Sequence, residues 1–455
     1  MVLLACSPSP IDVTEHGVIP DGKSDVFDAL NLLLASCDDG STLYFPPGHY
    51  WTKPRPAEDP DSYLRIEGKS VSLVGDATLS NLMFSFSGAS KSAGEFINDV
   101  APGDADIVLK EDCDVPPGST IQMVSGLSAY SEDALSLRAA TRSPLTGIDY
   151  HVLFSEFATV FSVQGPKVRL SSAAKFPYPG TTKKSELWVV DPVNRVRIDG
   201  LTWDMTQANG FRSLLFDLCR DVSVSHCQFA AGTGKGRHIQ TRDTWGITVS
   251  DCVFSREPAP DARGSGWNSC MFGCGTQEVR FERNRVEGDR QAFDVTAWDG
   301  GGHTSSFRGT AQRCANTVWV QDNTFSACHD GVTTHPGSYY VWIANNLCTG
   351  VSTGFRVRSN TNQVRGNLVD SARAGISLSC YVGDTIIANN VLRFQPSSRF
   401  QGQWRGLEWV PLTGESDVEV LTGDLIISQN LITGPPDVCA IDLRRYPAHR
   451  DSFRA

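Results

Sequence analysis

Val222–Phe229 reads VSVSHCQF, and variants of that phrase return down the second half of the chain. Ile247–Phe254 (ITVSDCVF), Val279–Val286 (VRFERNRV), Val318–Phe325 (VWVQDNTF) and Val341–Cys348 (VWIANNLC) keep its order: apolar-x-apolar, a polar pair, Asn or Cys, one further residue, then an apolar residue. Val364–Val369 (VRGNLV), Ile386–Leu392 (IIANNVL) and Leu425–Ile432 (LIISQNLI) continue the series. Aligned on the Asn/Cys, the anchors are Cys227, Cys252, Asn284, Asn323, Asn346, Asn367, Asn390 and Asn430, with steps of 25, 32, 39, 23, 21, 23 and 40 residues. A base period of 21 to 25 residues with longer insertions is that of a coil. One coil cannot bury its own apolar positions, so coils must stack, at about 4.8 Å between neighbouring strands.

The phrases alternate apolar and polar, and β-branched or aromatic residues fill the apolar slots, which is the period of a strand. Gly, Asn, Asp and Ser punctuate the coils, and long helical stretches are absent after residue 40. The recurring Asn suits a turn, where it tolerates a left-handed backbone and hydrogen-bonds its counterpart in the next coil. Cys227 and Cys252 take the same slot as small buried side chains. The chain therefore reads as all-β, a parallel β-helix solenoid.

At 455 residues a globular protein would divide into two or three domains, but a solenoid core grows along one axis. The net charge of −11 argues against nucleic acid as a partner, and an anionic glycan would need a local basic patch. No run approaches the length of a membrane-spanning helix, so no membrane insertion is expected. The opening Met1–Cys6 (MVLLAC) resembles the end of a lipoprotein signal but is too short for one, so it reads as a trimmed start or a lead-in strand. The 13 Cys sit mostly in strand phrases, and Cys270 and Cys274 have no His at zinc spacing. They are expected to be buried, reduced thiols, which favours assembly in a reducing cytoplasm. No metal or other cofactor is expected.

Val18–Asp25 (VIPDGKSD) precedes a helix over Val26–Ser36 with Phe27, Leu30, Leu33 and Leu34 on one face and Ser24 or Asp25 as cap. Thr42–Tyr50 (TLYFPPGHY) follows as a strand closed by Pro-Pro-Gly. This order resembles the opening of the pectate-lyase-like superfamily of right-handed parallel β-helices, with its pattern DGxxDDxxAL…VxFPxGxY, common in phage tailspikes and depolymerases. The resemblance implies that the amphipathic helix plugs the open end of the solenoid, which would otherwise expose core and strand edges. Three segments are expected: 1–50 as lead-in and capping helix, 51–195 as first coils with a strand-rich insertion over about 90–190, and 196–455 as regular coils. Val71–Gly75 marks the first coil. Pro258–Trp267, Trp298–Arg313 and Gln395–Ser416 are read as loops, which on a solenoid build the binding face.

A second strand lies upstream of the Asn phrase: Ala292–Thr296, Gly331–His335, Gly354–Arg358, Gly375–Ser379 and Ala440–Arg444. Phe293, Val332, Phe355, Ile376 and Ile441 should point inward. Two outward columns follow, Asp294, Thr333, Arg356, Ser377, Asp442 and Thr296, His335, Arg358, Ser379, Arg444. His329–Ser338 (HDGVTTHPGS) followed by Gly354–Arg358 resembles the GxDPHDxS…GIxxSR signature of mannuronan C5-epimerases and related β-helix lyases. His335 and Ser338 match its His and Ser, whereas Thr333 and Thr334 replace its Asp and Pro. Such chemistry removes the proton at C5 of a uronate and needs a base, a group that neutralises the carboxylate and an acid. His335 is the candidate base, Arg356 or Arg358 the neutraliser, and Tyr339, Tyr340 or Tyr381 the acid. A hydrolase would instead use paired carboxylates roughly 5 to 10 Å apart, from Asp294, Asp299, Asp330 and Asp442. Trp298, His303, His329, Tyr339, Tyr381, Trp404 and Arg444 are candidate substrate-binding residues, and Trp409 a further sugar-stacking one. The first expectation is a tailspike-like depolymerase of a bacterial surface polysaccharide, homotrimeric, in a virion tail with other tail proteins. With about two dozen residues after the last Asn phrase, no large C-terminal trimer cap is expected in this sequence. A secreted or periplasmic uronate lyase or epimerase and a non-catalytic fibre or adhesin are the alternatives.

Overall fold

The computed structural model describes residues 9–128, 152–208, 210–257, 268–297, 312–335, 337–378, 382–395, 404–410, 424–435, 438–442 and 453–454. The expectations for Met1–Cys6 fall outside them. Three parallel sheets, here A, B and C, run the length of the molecule with 14, 12 and 11 strands. One coil shows the plan: Ser338–Ala344 lies in sheet A, Leu347–Thr349 in sheet B, Thr353–Val357 in sheet C, and Asn360–Arg365 re-enters sheet A beside the first. The architecture is a right-handed parallel β-helix.

Inward positions alternate along each strand and stack between coils. Trp203, Phe229 and Phe254 form one such column in sheet B, with ring centroids 5.1 and 4.8 Å apart. Nine of the eleven described cysteines are buried and all eleven are free thiols.

Polar groups inside the A–B turn are satisfied by a ladder of Asn284, Asn323, Asn346, Asn367, Asn390 and Asn430. Each Asn main-chain N–H from Asn284 to Asn390 donates to the next Oδ1 at 2.9–3.0 Å. Each of these Nδ2 groups also donates to a carbonyl on the preceding coil, all at 2.9 Å. The left-handed residue is not the Asn, as the sequence suggested, but the one before it: His226, Asp251, Arg283, Asp322, Asn345, Gly366, Asn389 and Gln429 all have φ between 53° and 67°. This corner turn lets the Asn side chain point into the core.

Helix α1 (Phe27–Ser36) buries Phe27, Leu30, Leu33 and Leu34 against the open end. Asp25 Oδ1 accepts from Phe27 N at 3.1 Å. Lys69 Nζ donates to the carbonyls of Leu34 and Cys37 at 2.6 and 2.8 Å, answering orphaned carbonyls at the helix end. Val71–Gly75 is not the first rung, because Ile11–Asp12 and Ser41–Phe45 precede it in sheet A.

Between Leu73 and Ile198, which are in register, the chain leaves the solenoid. Strands between Ala89 and Asp191 form an antiparallel sheet with its own core, including Ile121, Met123, Tyr178 and Leu187. Gln312–Arg313 extends it by pairing with Val152 and Leu153. Asp243, buried at the C–A turn, clamps this unit by accepting from Gln122 Nε2 at 2.8 Å and from Arg313 Nε at 2.9 Å.

Candidate active site

The outer face of sheet C gathers most of the described candidate residues. In register, Phe293, Val332, Phe355 and Ile376 stack inward as the alternation dictates. Asp294, Thr333, Arg356 and Ser377 form the outward column beside them. Ile441 shares the inward register with Leu407, yet it is 46% exposed.

His335 follows strand Asp330–Thr334 and is held by its main-chain N–H, which donates to Val295 O at 2.9 Å. Ser338 closes this turn, its Oγ donating to Val295 O at 3.2 Å. His335 Nε2 accepts a hydrogen bond from Arg358 Nη2 at 3.0 Å and lies 3.0 Å from Asp294 Oδ1. Asn268 Nδ2 donates to the other Asp294 oxygen at 2.5 Å. Burial and the neighbouring Arg358 guanidinium, outweighing Asp294, hold the imidazole below its ordinary pKa. It is therefore neutral, with Nε2 as acceptor. Arg358 is aimed by Thr334, whose hydroxyl accepts from Arg358 N at 2.9 Å and whose carbonyl accepts from Nε at 3.1 Å. Ser359 Oγ donates to the same Thr334 hydroxyl at 2.7 Å.

A second cluster adjoins the first. Asp330, buried, contacts His329 Nδ1 and Arg356 Nη2, each at 3.1 Å. Burial alone would raise its pKa, but these two partners outweigh it and keep the carboxyl ionised below its usual range. Asp330 is thus a poor proton donor. The side chains of His335, Arg356 and His329 are each between 27% and 30% exposed, so the site is part-covered but reachable. Buried and without hydrogen-bond partners across the two clusters are Asp294 Oδ1, Thr333 Oγ1 and Arg356 Nε.

The other candidates separate. Tyr339 packs tilted on Phe154 and edge-on to Phe176 of the antiparallel insertion, both at 5.5 Å, and Tyr340 packs on Phe176 at 6.0 Å. Both rings serve that interface. Trp404 packs against the core, and Trp409, in register with Leu378, is inside it at 2% exposure. Asp299, Trp298, His303, Tyr381 and Arg444 lie outside the described residues.

The expected loop Gln395–Ser416 contains a sheet C strand, Arg405–Trp409. Its Glu408 joins the outward column between Ser377 and Asp442 and was missed. Arg373 Nη2 and Arg405 Nη1 donate to its two oxygens at 3.3 and 2.9 Å. The available signal was Gly406-Leu-Glu-Trp, which repeats Gly331-Val-Thr-Thr, Gly354-Phe-Arg-Val and Gly375-Ile-Ser-Leu. Those glycines stack so closely that a Cβ on Gly354 or Gly375 would lie 2.6 Å from the next glycine's carbonyl oxygen. Among the described residues no group of three His, Cys, Asp or Glu is placed to hold a metal ion.

The family profile of the periplasmic copper-binding protein NosD matches residues 296–418. No curated protein sequence matches the chain. Among solved structures, the Pseudomonas phage phi297 tailspike gp61 superposes with a TM-score of 0.55 at 12% identity, over 95% of this chain and 77% of that one. The Gp54 tailspike of Acinetobacter baumannii bacteriophage AP22, in complex with A. baumannii capsular saccharide, gives 0.60 at 11% identity, over 98% and 73%. The fold is that of the pectate-lyase-like right-handed parallel β-helices.

Proposed function

We propose that this β-helix binds and cleaves an acidic bacterial surface polysaccharide by β-elimination on the outer face of sheet C. The observation that carries the reading is the neutral His335 held between Asp294 and Arg358 in a half-covered site. A uronate carboxylate entering the site draws Arg358, with Arg356 beside it, and the departure of Arg358 frees Nε2. The nitrogen takes the C5 proton, and Asp294 at 3.0 Å stabilises the imidazolium formed. The electron pair forms the C4–C5 double bond, the C4–O bond breaks, and the proton on Nε2 passes to the departing oxygen. Asp330, held ionised, could serve a hydrolase as base or nucleophile but is a poor choice for its acid, so the elimination reading rests on His335. Both phage neighbours named above are tailspikes, and one carries a capsular saccharide, which supports a tail protein as the setting; a homotrimer is part of the same proposal.

The test is incubation with capsular, O-antigen and uronate polysaccharides, following the ultraviolet absorbance of the new double bond alongside reducing ends. Both rising together is the expected result. Reducing ends without absorbance would mean hydrolysis and move the chemistry to Asp294, Asp330 and Asp299. No turnover on any polymer would leave a non-catalytic fibre. Light scattering should give a trimer; a monomer counts against the tail assignment.

A further inference from the structure

A pocket of about 680 Å³ opens at the other end of sheet C, between the loop Ala57–Tyr63 and strands Leu64–Glu67, Phe84–Ser87 and Arg212–Asp217. That volume falls within the roughly 300–1,000 Å³ of small-molecule sites. Register places it on the same two outward columns as the His335 cluster. One column runs Arg65, Ser85, Leu215, Gln240, Met271, Asp294, and the other begins Glu67, Ser87, Asp217, Arg242. Asp217 lies four coils before His335, so the two sites are separated by about 19 Å at 4.8 Å per coil. Gln240 and Met271 between them are fully buried, which makes the pocket a separate opening.

Its lining is sorted by charge. Arg212 and Arg242 line it, each 7% exposed, whereas Glu58 and Glu67 are exposed. Arg212 Nη1 donates only to neutral acceptors, Ala57 O at 3.1 Å and Tyr63 Oη at 3.3 Å. Arg242 Nη1 stands 4.0 Å from Asp217 Oδ2, and its Nε is buried without a hydrogen-bond partner. Two buried guanidiniums on adjacent strands, neither tightly matched by a carboxylate, are costly unless an anion joins them. Arg65, Arg212 and Arg242 are balanced in number by Glu58, Glu67 and the part-buried Asp217, so what sets the lining apart is that its two buried charges are both guanidiniums.

We infer that this pocket is a second saccharide site that seats a carboxylate-bearing sugar on Arg212 and Arg242, a reading that rests on the proposed glycan function. It would hold a polymer by one acidic residue while another occupies the cluster four coils away.

Titrating the intact protein with glucuronate and with glucose, by calorimetry and ligand-observed NMR, tests this. Glucuronate should bind at least tenfold more tightly than glucose. Ser87→Trp, which fills the pocket from a part-exposed position, should remove the glucuronate binding that persists in His335→Ala, with the melting midpoint unchanged. If Ser87→Trp lowers the midpoint, Arg65→Glu on the exposed rim should weaken glucuronate several-fold instead. Equal binding of the two sugars, or glucuronate binding lost in His335→Ala and kept in Ser87→Trp, overturns the pocket. These outcomes are independent of whether any polysaccharide is cleaved, so failure of the pocket and failure of the cleavage reading are told apart.

Discussion

The A–B turn and the outer face of sheet C are built from the same coils yet follow opposite rules. At the turn, one residue type repeats from Asn284 to Asn430, and each side chain spends its donors and acceptors on the coils above and below. On sheet C the outward column changes at every rung, from Asp294 to Thr333, Arg356, Ser377 and Glu408. Buried polar atoms there lack partners. A solenoid needs sameness where coils must stack and gains chemistry where sameness is given up. Unsatisfied buried groups cost about 1–3 kcal/mol each, and Asp294 Oδ1, Thr333 Oγ1 and Arg356 Nε bear that cost beside His335, where a ligand could offset it.

The largest expected effect breaks the comparison on the functional side. His335→Ala should lower polysaccharide turnover by about 10²–10⁴-fold, the usual contribution of a positioned acid–base group. Its melting midpoint should stay near that of the parent, because the side chain is part-exposed. A turnover loss under tenfold removes His335 from the chemistry. On the structural side, Asn346→Ala should leave turnover per folded molecule intact and cost about 3 kcal/mol. Asn323 N and Nδ2 lose their acceptor, at 3.0 and 2.9 Å, and Val320 O loses its donor at 2.9 Å. Urea midpoints would measure it, and a cost below 1 kcal/mol would mean water replaces the ladder.

A smaller effect sharpens the contrast through pH. His238 is fully enclosed among Phe211, Phe229 and Phe254, and burial, then Arg256, holds its pKa well below 6.5. His335 is lowered in the same direction from 6.5. With the folded values depressed, the unfolded chain binds more protons as pH falls below 6.5, so stability present above that pH is lost beneath it. His238→Phe should flatten this acid-side loss without moving the pH profile of turnover, whereas that profile should fall on the acid side as His335 takes its proton. An unchanged stability slope in His238→Phe would assign the loss elsewhere.

The ladder was legible in the sequence because it is periodic: Asn steps of 21 to 23 residues, stretched to 39 and 40 by insertions, are visible without coordinates. The opening helix was legible by its apolar face. The site was legible only where it kept the strand phrase. His335, Arg358 and Asp294 meet because three successive coils place them on one face. Glu408 was hidden because insertions on either side broke the period, although Gly406 kept the glycine column. Tyr339 and Tyr340 looked like site residues because no local pattern announces that a distant antiparallel sheet, through Phe154 and Phe176, will cover them. Arg212 and Arg242 were passed over because their pocket needs the loop Ala57–Tyr63, more than a hundred residues away.

The position just before each ladder Asn carries the smallest expected effect and the finest test of the turn. Gln429 is exposed there with φ of 54°, while Gly366 holds the equivalent place at 67°. A left-handed non-glycine residue costs about 1–2 kcal/mol, and a glycine gives back about 0.5–1 of that in unfolded-chain entropy. Gln429→Gly should therefore stabilise by about 0.5–1 kcal/mol. Gly366→Ala should destabilise by more, since its Cβ would also come within 2.7 Å of Asn345 Oδ1. Thermal midpoints of the two variants should move in opposite directions. Movement in the same direction would mean that the turn is set by the Asn side chain rather than by the backbone of the residue before it.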